Sequence, residues 1–481
     1  GGGGFFLIYE KEKDSYTFID ARETEPGASF SDMYLDSDGN FDRIKSLNGP
    51  LAAAIPGLPA GLVHLSEKFG KKGLVECFSS AVRLAEKGFH IGPRYVRMAG
   101  FREKSFSTEA RRIFLGEGSP SSGKKIVQKD LASTLKNIAA NKAYDFYNGE
   151  LASKFVREVK KSGGIWEISD LSSYSIVERS PLIGHYKGVK IVSAPPPSSG
   201  GIVLLQSLNI LRNYKIEDLS ELDRVHLVTE AMRRAYRDRA DFLGDPDFIK
   251  INSEKLVSLE HADDLAKDLK MDRATPSDSL KKLSRSEGQD TTHFSVLDKD
   301  GNRVAATLSI NYPFGASYVV PGTGVLLNNE MDDFSATPLS PNAYGLLGNH
   351  ANSIQAGKRP LSSMTPPFLE TDERVGILGT PGGSRIISMV LISSLEFVRG
   401  THPKAWVTKD RFHHQYMPDL LQFEQNTFSA SLQSELRDRG HNLKEISRKY
   451  GNMQAILWDK SKGVVYAASD PRGEGAARVQ K

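Results

Sequence analysis

A single cysteine among 481 residues, Cys77, is too few for an internal disulfide, a cysteine-based metal site or a dithiol redox centre. No apolar run approaches the roughly 20 residues that a membrane-spanning helix needs. An excess of one charge sign is missing too: 63 Lys and Arg stand against 59 Asp and Glu, a net of +4. Without a long basic run, that balance offers no nucleic-acid footprint. The hydrophobic fraction of 39% and charged fraction of 25% exclude wholesale disorder. What remains is a large globular chain, long enough for about three domains or for one layered unit of helices and sheets. Within Leu74-Val75-Glu76-Cys77-Phe78, the lone thiol reads as buried and structural.

No leader is visible. Gly1-Gly2-Gly3-Gly4, read as a turn, runs directly into the strand-like Phe5-Phe6-Leu7-Ile8-Tyr9, so further residues are expected ahead of it. Residues 5–9 and 17–20 read as a hairpin pair. Helical periodicity marks 74–87, 130–141, 151–161 and, most clearly, 221–242. Pro195-Pro196-Pro197-Ser198-Ser199-Gly200-Gly201 lies between a strand at 189–193 and an apolar helix at 202–211. Residues 272–290 have scarcely any apolar anchor and read as an exposed, mobile linker. The pattern then switches to β, dividing the chain into 1–290 and 291–481.

Asp298-Lys299-Asp300-Gly301-Asn302 between two β patterns fits a three-residue hairpin loop with Gly301 left-handed. Asp298 then pairs with Asn302, and Thr291 lies opposite Ser309 with Asn311 next along that face. Phe294, Val296, Val304, Ala306 and Leu308 take the other face. A two-residue loop would instead set Thr291 opposite Leu308. The register matters because a threonine hydroxyl is a poor nucleophile until a base takes its proton. Breaking the Asp290–Thr291 bond would give Thr291 its own α-amine, whose reference pKa of about 7.7–8.0 suits it to act as that base. Read locally, Thr291 and Thr292 are equally ordinary β-branched strand residues.

Other segments supply matching chemistry. Gly379-Thr380-Pro381-Gly382-Gly383-Ser384-Arg385 joins a strand to an apolar helix, where unpaired backbone N–H groups can meet an oxyanion. It is also a common turn. Glu330-Met331-Asp332-Asp333 offers carboxylates for an ammonium group, or a solvated turn. Ser362 and Ser363 offer two hydroxyls in a Pro-flanked loop, and Arg22 a guanidinium for a carboxylate or for Asp20 or Glu23. His413-His414 lacks a third metal ligand nearby, and neighbours in a strand point opposite ways.

Together these segments resemble the γ-glutamyltransferase (γ-glutamyl transpeptidase) family of N-terminal-nucleophile hydrolases. The resemblance covers almost the whole chain: the Gly1–Phe5 run, Asp20-Ala21-Arg22-Glu23, 195–201, Gly244-Asp245-Pro246-Asp247-Phe248, 290–295, 326–335, 358–364, 379–387, 411–415 and Ala468-Ser469-Asp470-Pro471-Arg472. It implies an α+β fold, a four-layer αββα sandwich, made as a precursor that cleaves itself between Asp290 and Thr291. Residues 1–290 would form a large subunit and 291–481 a small catalytic one, held as a heterodimer. Thr291 would attack the γ-carbonyl of glutathione or another γ-glutamyl amide, and the resulting ester would pass to water, an amino acid or a dipeptide. Gly382 and Gly383 match the oxyanion-hole positions. Arg22, Ser362 and Ser363 match the groups on the glutamyl α-carboxylate; Asn311, Glu330 and Asp333 match those on the α-ammonium. Ser309 stands where the family usually has a second threonine. Residues 338–348, with Tyr344, resemble a lid loop, and Lys409-Asp410 is unusual for the family. No cofactor or metal is implied, and the family's location is extracytoplasmic.

A glutaryl- or cephalosporin-type acylase of the same fold is the nearest alternative. Its substrates lack an α-amino group, and buried carboxylates facing no ammonium are costly, so Glu330 and Asp333 favour a glutamyl substrate. An unprocessed, non-catalytic binding protein is the alternative from another class.

Overall fold

The run Phe5-Phe6-Leu7-Ile8-Tyr9 is apolar at every position because both of its faces are covered. A computed structural model describes residues 1–116, 118–280, 291–335 and 350–480. In it, the strand Gly3–Glu10 lies inside a sheet whose order is Val177–Arg179, Ser15–Ala21, Gly3–Glu10, Arg303–Ser309, Thr292–Leu297, antiparallel throughout. Phe5, Leu7 and Tyr9 enter the main core, whereas Phe6 and Ile8 pack with Ile19 and Ala306 beneath Leu58, Leu62 and Leu65 of the helix Leu58–Lys68. Alternation along one strand thus feeds two cores.

The main core lies between this front sheet and a back sheet ordered Val464–Ser469, Gln454–Asp459, Arg374–Gly379, Phe368–Glu370, Val189–Ser193, Leu182–Tyr186. Helices Gly200–Leu211, Glu221–Phe242 and Arg385–Val398 cover the other side of the back sheet. All twelve residues of Gly200–Leu211 are buried, which explains its nearly uniform apolar sequence. The result is the αββα sandwich, an α+β fold. Each sheet contains strands from both sides of the 290/291 junction.

The hairpin register follows from its loop. Thr292 pairs with Leu308 and Leu297 with Arg303, the Asp298 amide donates to the Asn302 carbonyl, and Gly301 has φ +92°. Continuing the ladder sets Thr291 opposite Ser309. On the other face, Ala306 is buried while Phe294 and Val296, on the edge strand, remain 42% and 46% exposed. Helices span Leu74–Lys87 and Glu221–Phe242, and those expected at 130–141 and 151–161 start one residue earlier.

Two expectations are corrected. Cys77 is exposed: the buried stripe of its helix is Leu74, Phe78 and Ala85, and Cys77 points away from it. The glycine run is not a turn but extended chain in a narrow channel. A Cβ on Gly2 would lie 2.2 Å from the Ser309 carbonyl oxygen, and one on Gly1 2.2 Å from that of Leu326. The segment 272–290 is also less free at its start than its composition suggests. Ala274 donates to the Arg439 carbonyl, Ser277 donates to Asp419 at 2.9 Å, and Ser277 is wholly buried. Residues 281–290, with Asp290, lie outside the described residues. Among the described residues, no helix is long and apolar enough to cross a membrane.

Ionisable side chains are also buried away from the sheets. His441 is 3% exposed, its ring meeting His226 at 2.8 Å; burial first, and Arg233 next, pull its pKa to about 3. An unfolded histidine protonates near 6.5, so below that pH the unfolded chain binds the extra proton. The stabilising contribution of neutral His441 is therefore present above about pH 6.5 and is lost as pH falls. Wild type should lose stability relative to His441→Gln by up to about 1.4 kcal/mol per pH unit below 6.5, read from paired urea midpoints. A gap that stays constant from pH 7.5 to 5 would contradict the neutral buried state.

Candidate active site

Thr291 is half-buried at the start of the edge strand, and Ser309 ends the neighbouring one. After Ser309 the chain breaks from the sheet at Asn311, whose φ of +66° is left-handed. Asparagine tolerates that conformation better than most residues. The Asn311 amide donates to Ser309 Oγ at 2.8 Å, and its Nδ2 donates to the Asn329 carbonyl at 3.0 Å. This ties the strand end to the acidic turn Glu330–Asp333.

That turn is held from below by Asn328. Its Oδ1 accepts from the Ala54 and Glu330 amides, both at 3.0 Å, while Nδ2 donates to the Gly1 and Ala54 carbonyls at 2.7 and 2.8 Å. Above it sits Arg22, just past the strand Ser15–Ala21 and 1% exposed. Nη1 lies 2.6 Å from Glu330 Oε2, Nη2 2.6 Å from Asp333 Oδ2, and Nε donates to the Pro360 carbonyl at 3.1 Å. Glu23 is 3.6 Å from Nη1. Burial disfavours the Arg22 charge, but Glu330, Glu23 and Asp333 outweigh it and keep the guanidinium protonated. Burial raises Glu23 to about 7 and lifts Glu330 well above the carboxylate range, with Arg22 opposing both. One guanidinium cannot hold three desolvated carboxylates charged.

The serine loop is fastened by the Pro-rich segment. Ser199 donates through N and Oγ to the Ser362 carbonyl at 2.8 and 2.7 Å, and Ser198 Oγ donates to the Met364 carbonyl at 2.7 Å. Ser362 in turn donates its amide to the Pro197 carbonyl at 2.8 Å. On the opposite wall, Gly382 and Gly383 have φ of +147° and +57°. A side chain on Gly382 would strike Met389. Among the described residues neither glycine amide has a protein acceptor. The turn is fixed by Ser384, whose Oγ donates to Gln415 at 2.7 Å and whose carbonyl accepts from the Tyr236 hydroxyl.

These pieces converge. Thr291, Ser309, Asn311, Arg22, Asp333, Ser362, Ser363 and Gly383 line one cavity. Glu330 lies behind it, against Arg22. Gly382 faces an adjoining groove, lined also by Pro381, Arg97, Arg448 and Lys449. Thr291 borders a second, more apolar groove with Tyr95, Met98 and Tyr312. Tyr344 and the whole of 338–348 lie outside the described residues. Lys409 pairs with Glu396 at 3.1 Å and lines a separate groove. His413 and His414 meet Gln415 and Asp419, at 2.8 and 3.1 Å, and stay out of the cavity lining.

Two features were not read from the sequence. Arg22 is paired with the acidic groups expected to serve a different part of a ligand, because opposite charges buried together pair. Arg239 also lines the cavity. The run of arginines in 221–242 gave a signal that some lay inward, but not which.

A family model described as gamma-glutamyltranspeptidase matches residues 1–480. The chain is 39% identical over 484 residues to the glutathione hydrolase proenzyme of Escherichia coli (strain K12), covering 98% of this chain and 82% of that protein. The structure is similar to cephalosporin acylase from Bacillus halodurans, with a TM-score of 0.87 at 24% identity, covering 100% of this chain and 87% of the other; at that identity the likeness shows the fold alone. It is also similar to the γ-glutamyltranspeptidase of Helicobacter pylori, with a TM-score of 0.56 and 36% identity over 58% of this chain and 81% of that one.

Asn328→Ala would strand the Ala54 and Glu330 amides in a dry site, at about 1–3 kcal/mol for each unsatisfied group. A melting temperature several degrees below wild type is expected by differential scanning calorimetry. An unchanged value would show that the acidic turn is held by other contacts.

Proposed function

The chain belongs to the γ-glutamyltranspeptidase family, and on that footing we propose how its cavity hydrolyses glutathione and other γ-glutamyl amides and transfers their γ-glutamyl group. The precursor splits between Asp290 and Thr291, and residues 1–290 and 291–481 remain together as a heterodimer. The interleaved sheets support that association, since each sheet draws strands from both parts. The freed Thr291 amine takes the proton of its own hydroxyl as the oxygen attacks the γ-carbonyl carbon. The developing oxyanion is met by the Gly382 and Gly383 amides. The C–N bond then breaks, the leaving amine carries the proton away, and a γ-glutamyl ester remains on Thr291. Water, an amino acid or a dipeptide attacks that ester, gives its proton to the Thr291 amine, and the amine returns it to the hydroxyl as the ester breaks.

Ser309 supports Thr291 from the opposite strand position. Arg22, Ser362 and Ser363 serve the α-carboxylate end of the substrate; Asn311, Glu330 and Asp333 serve the α-ammonium. The enzyme works outside the cytoplasm, a reading supported by the family resemblance. The single observation that carries the proposed chemistry is the convergence of Thr291, Arg22 and Asp333 on one cavity from distant parts of the chain. The carboxyl cluster around Arg22 favours the glutamyl over the acylase reading: burial holds Glu23 and Glu330 toward the protonated form, and a ligand ammonium would supply the second positive charge that lets them ionise.

Thr291→Ala should remain one unsplit chain on denaturing gels and release no detectable nitroaniline from γ-glutamyl-p-nitroanilide. A variant that still splits at this point and turns over substrate would exclude Thr291 as nucleophile. Asp333→Asn should raise KM for glutathione by about 10- to 100-fold, the worth of a charge-assisted hydrogen bond. Equal KM in the variant and wild type would remove Asp333 from the ammonium end.

A further inference from the structure

The amide nitrogen of a γ-glutamyl substrate carries everything that the glutamyl cavity does not hold. With the carbonyl oxygen at the Gly382 and Gly383 amides, that remainder leaves the cavity past the glycine turn. Gly382 lines the groove that adjoins the cavity there, and Arg94, Arg97, Arg448, Lys449 and Arg472 line it too. Among the described residues no acidic side chain does. A cleft walled by one sign of charge focuses its field on whatever enters.

Two of the five cations have company. Arg472 Nη2 lies 2.7 Å from Glu424 Oε2, and the Arg94 amide reaches Glu474, on the neighbouring apolar groove, at a long 3.4 Å. Arg97, Arg448 and Lys449 are exposed, and among the described residues none has a carboxylate within ion-pair distance. Arg97 comes from the helix Pro93–Arg102; Arg448 and Lys449 come from the loop 447–453. That loop is fastened to the glycine turn. The Asn452 amide donates to Thr380 Oγ1 at 3.1 Å, two residues before Gly382. The Tyr450 amide donates to Glu424 Oε1 at 2.9 Å, and its carbonyl accepts from Arg411. Gly451, with φ +83°, lies so close that a side chain there would strike Arg411 and Met389. The backbone beneath both cations is thus held against the turn that carries the oxyanion donors.

We propose that this groove is the subsite for the departing and the accepting amine, and that Arg97, Arg448 and Lys449 select amines that carry a carboxylate. The assignment rests on the reading of the cavity as a γ-glutamyl site. In glutathione the departing amine is cysteinylglycine, whose glycine carboxylate lies outside the glutamyl head and beyond the reach of the groups that hold it. An amino acid or dipeptide attacking the ester retraces that departure, so it brings its own carboxylate to the same cations. The apolar groove, which shares Met98 and Tyr312 with this one, is open to the side chain of such an amine. Exposed cations contribute modestly one by one, so three together give a preference and not an absolute requirement.

The test compares glutathione with its C-terminal carboxamide, which differs only in that carboxylate, on the processed enzyme. In wild type the ratio of kcat/KM values should favour glutathione by about 10-fold at low ionic strength and shrink as salt is added. The ratio should fall toward one in Arg448→Gln/Lys449→Gln and part of the way in Arg97→Gln. Because Arg97 stands on a separate element, its variant also supplies the readout if the double variant fails to mature. A merely structural role for the loop would lower both substrates together, and a ratio unmoved in the processed variants would overturn the proposal. So would a wild type that treats the two peptides alike. A wild type that releases glutamate from neither peptide, nor from γ-glutamyl-p-nitroanilide, would instead sink the γ-glutamyl reading on which the assignment stands.

Discussion

A guanidinium removed from water must be answered by negative charge, and Arg22 is answered by three carboxylates from two distant parts of the chain. Glu23 is its neighbour; Glu330 and Asp333 lie about three hundred residues further along. The cluster therefore ties the end of an N-terminal strand to the acidic turn that follows the Thr291 hairpin. Its energetics are poised: desolvation acts against every member, and mutual attraction compensates only while the geometry is kept. The raised pKa values of Glu23 and Glu330 are the sign that the negative side is oversupplied. A further positive charge beside the cluster would lower those pKa values again and let the carboxyls ionise.

The rest of the fold is arranged to keep this cluster beside Thr291. The glycine run fits the first strand between Ser309 and the chain near Leu326, and Asn328 fastens the acidic turn to Gly1 and Ala54. The Pro195–Gly201 segment fastens the serine loop in the same way, its hydroxyls bound to backbone carbonyls. Precision at the cavity comes from backbone groups bound to buried polar side chains, each of which would be costly to leave unmatched.

Much of this was legible in the sequence where the physics is local. The loop Asp298-Lys299-Asp300-Gly301-Asn302 set the hairpin register, and with it the opposition of Thr291 and Ser309, because a bulged three-residue turn admits one pairing. The helix at 221–242 was visible from its periodicity. Placement of Arg22, Ser362 and Gly383 around one cavity came instead from family resemblance, since spacing in sequence says nothing about contacts across hundreds of residues. Arg239 was missed because a helix rich in arginine does not announce which of them its tertiary neighbours will bury. Cys77 was misread for the opposite reason: an apolar-looking window was taken as a whole, although Leu74 and Phe78 alone define its inward stripe.

The interleaving of strands has a consequence for how such a molecule can be altered. With Gly3–Glu10 laddered to Arg303–Ser309, and Phe368–Glu370 laddered to Val189–Ser193, the boundary between the two parts runs along rows of backbone hydrogen bonds. Neither part is a module with its own finished surface. Chimeras that borrow one part from a relative would have to match hydrogen-bond register and side-chain alternation in both sheets at once, so substitution within a part is open to gradual change while exchange of whole parts is not.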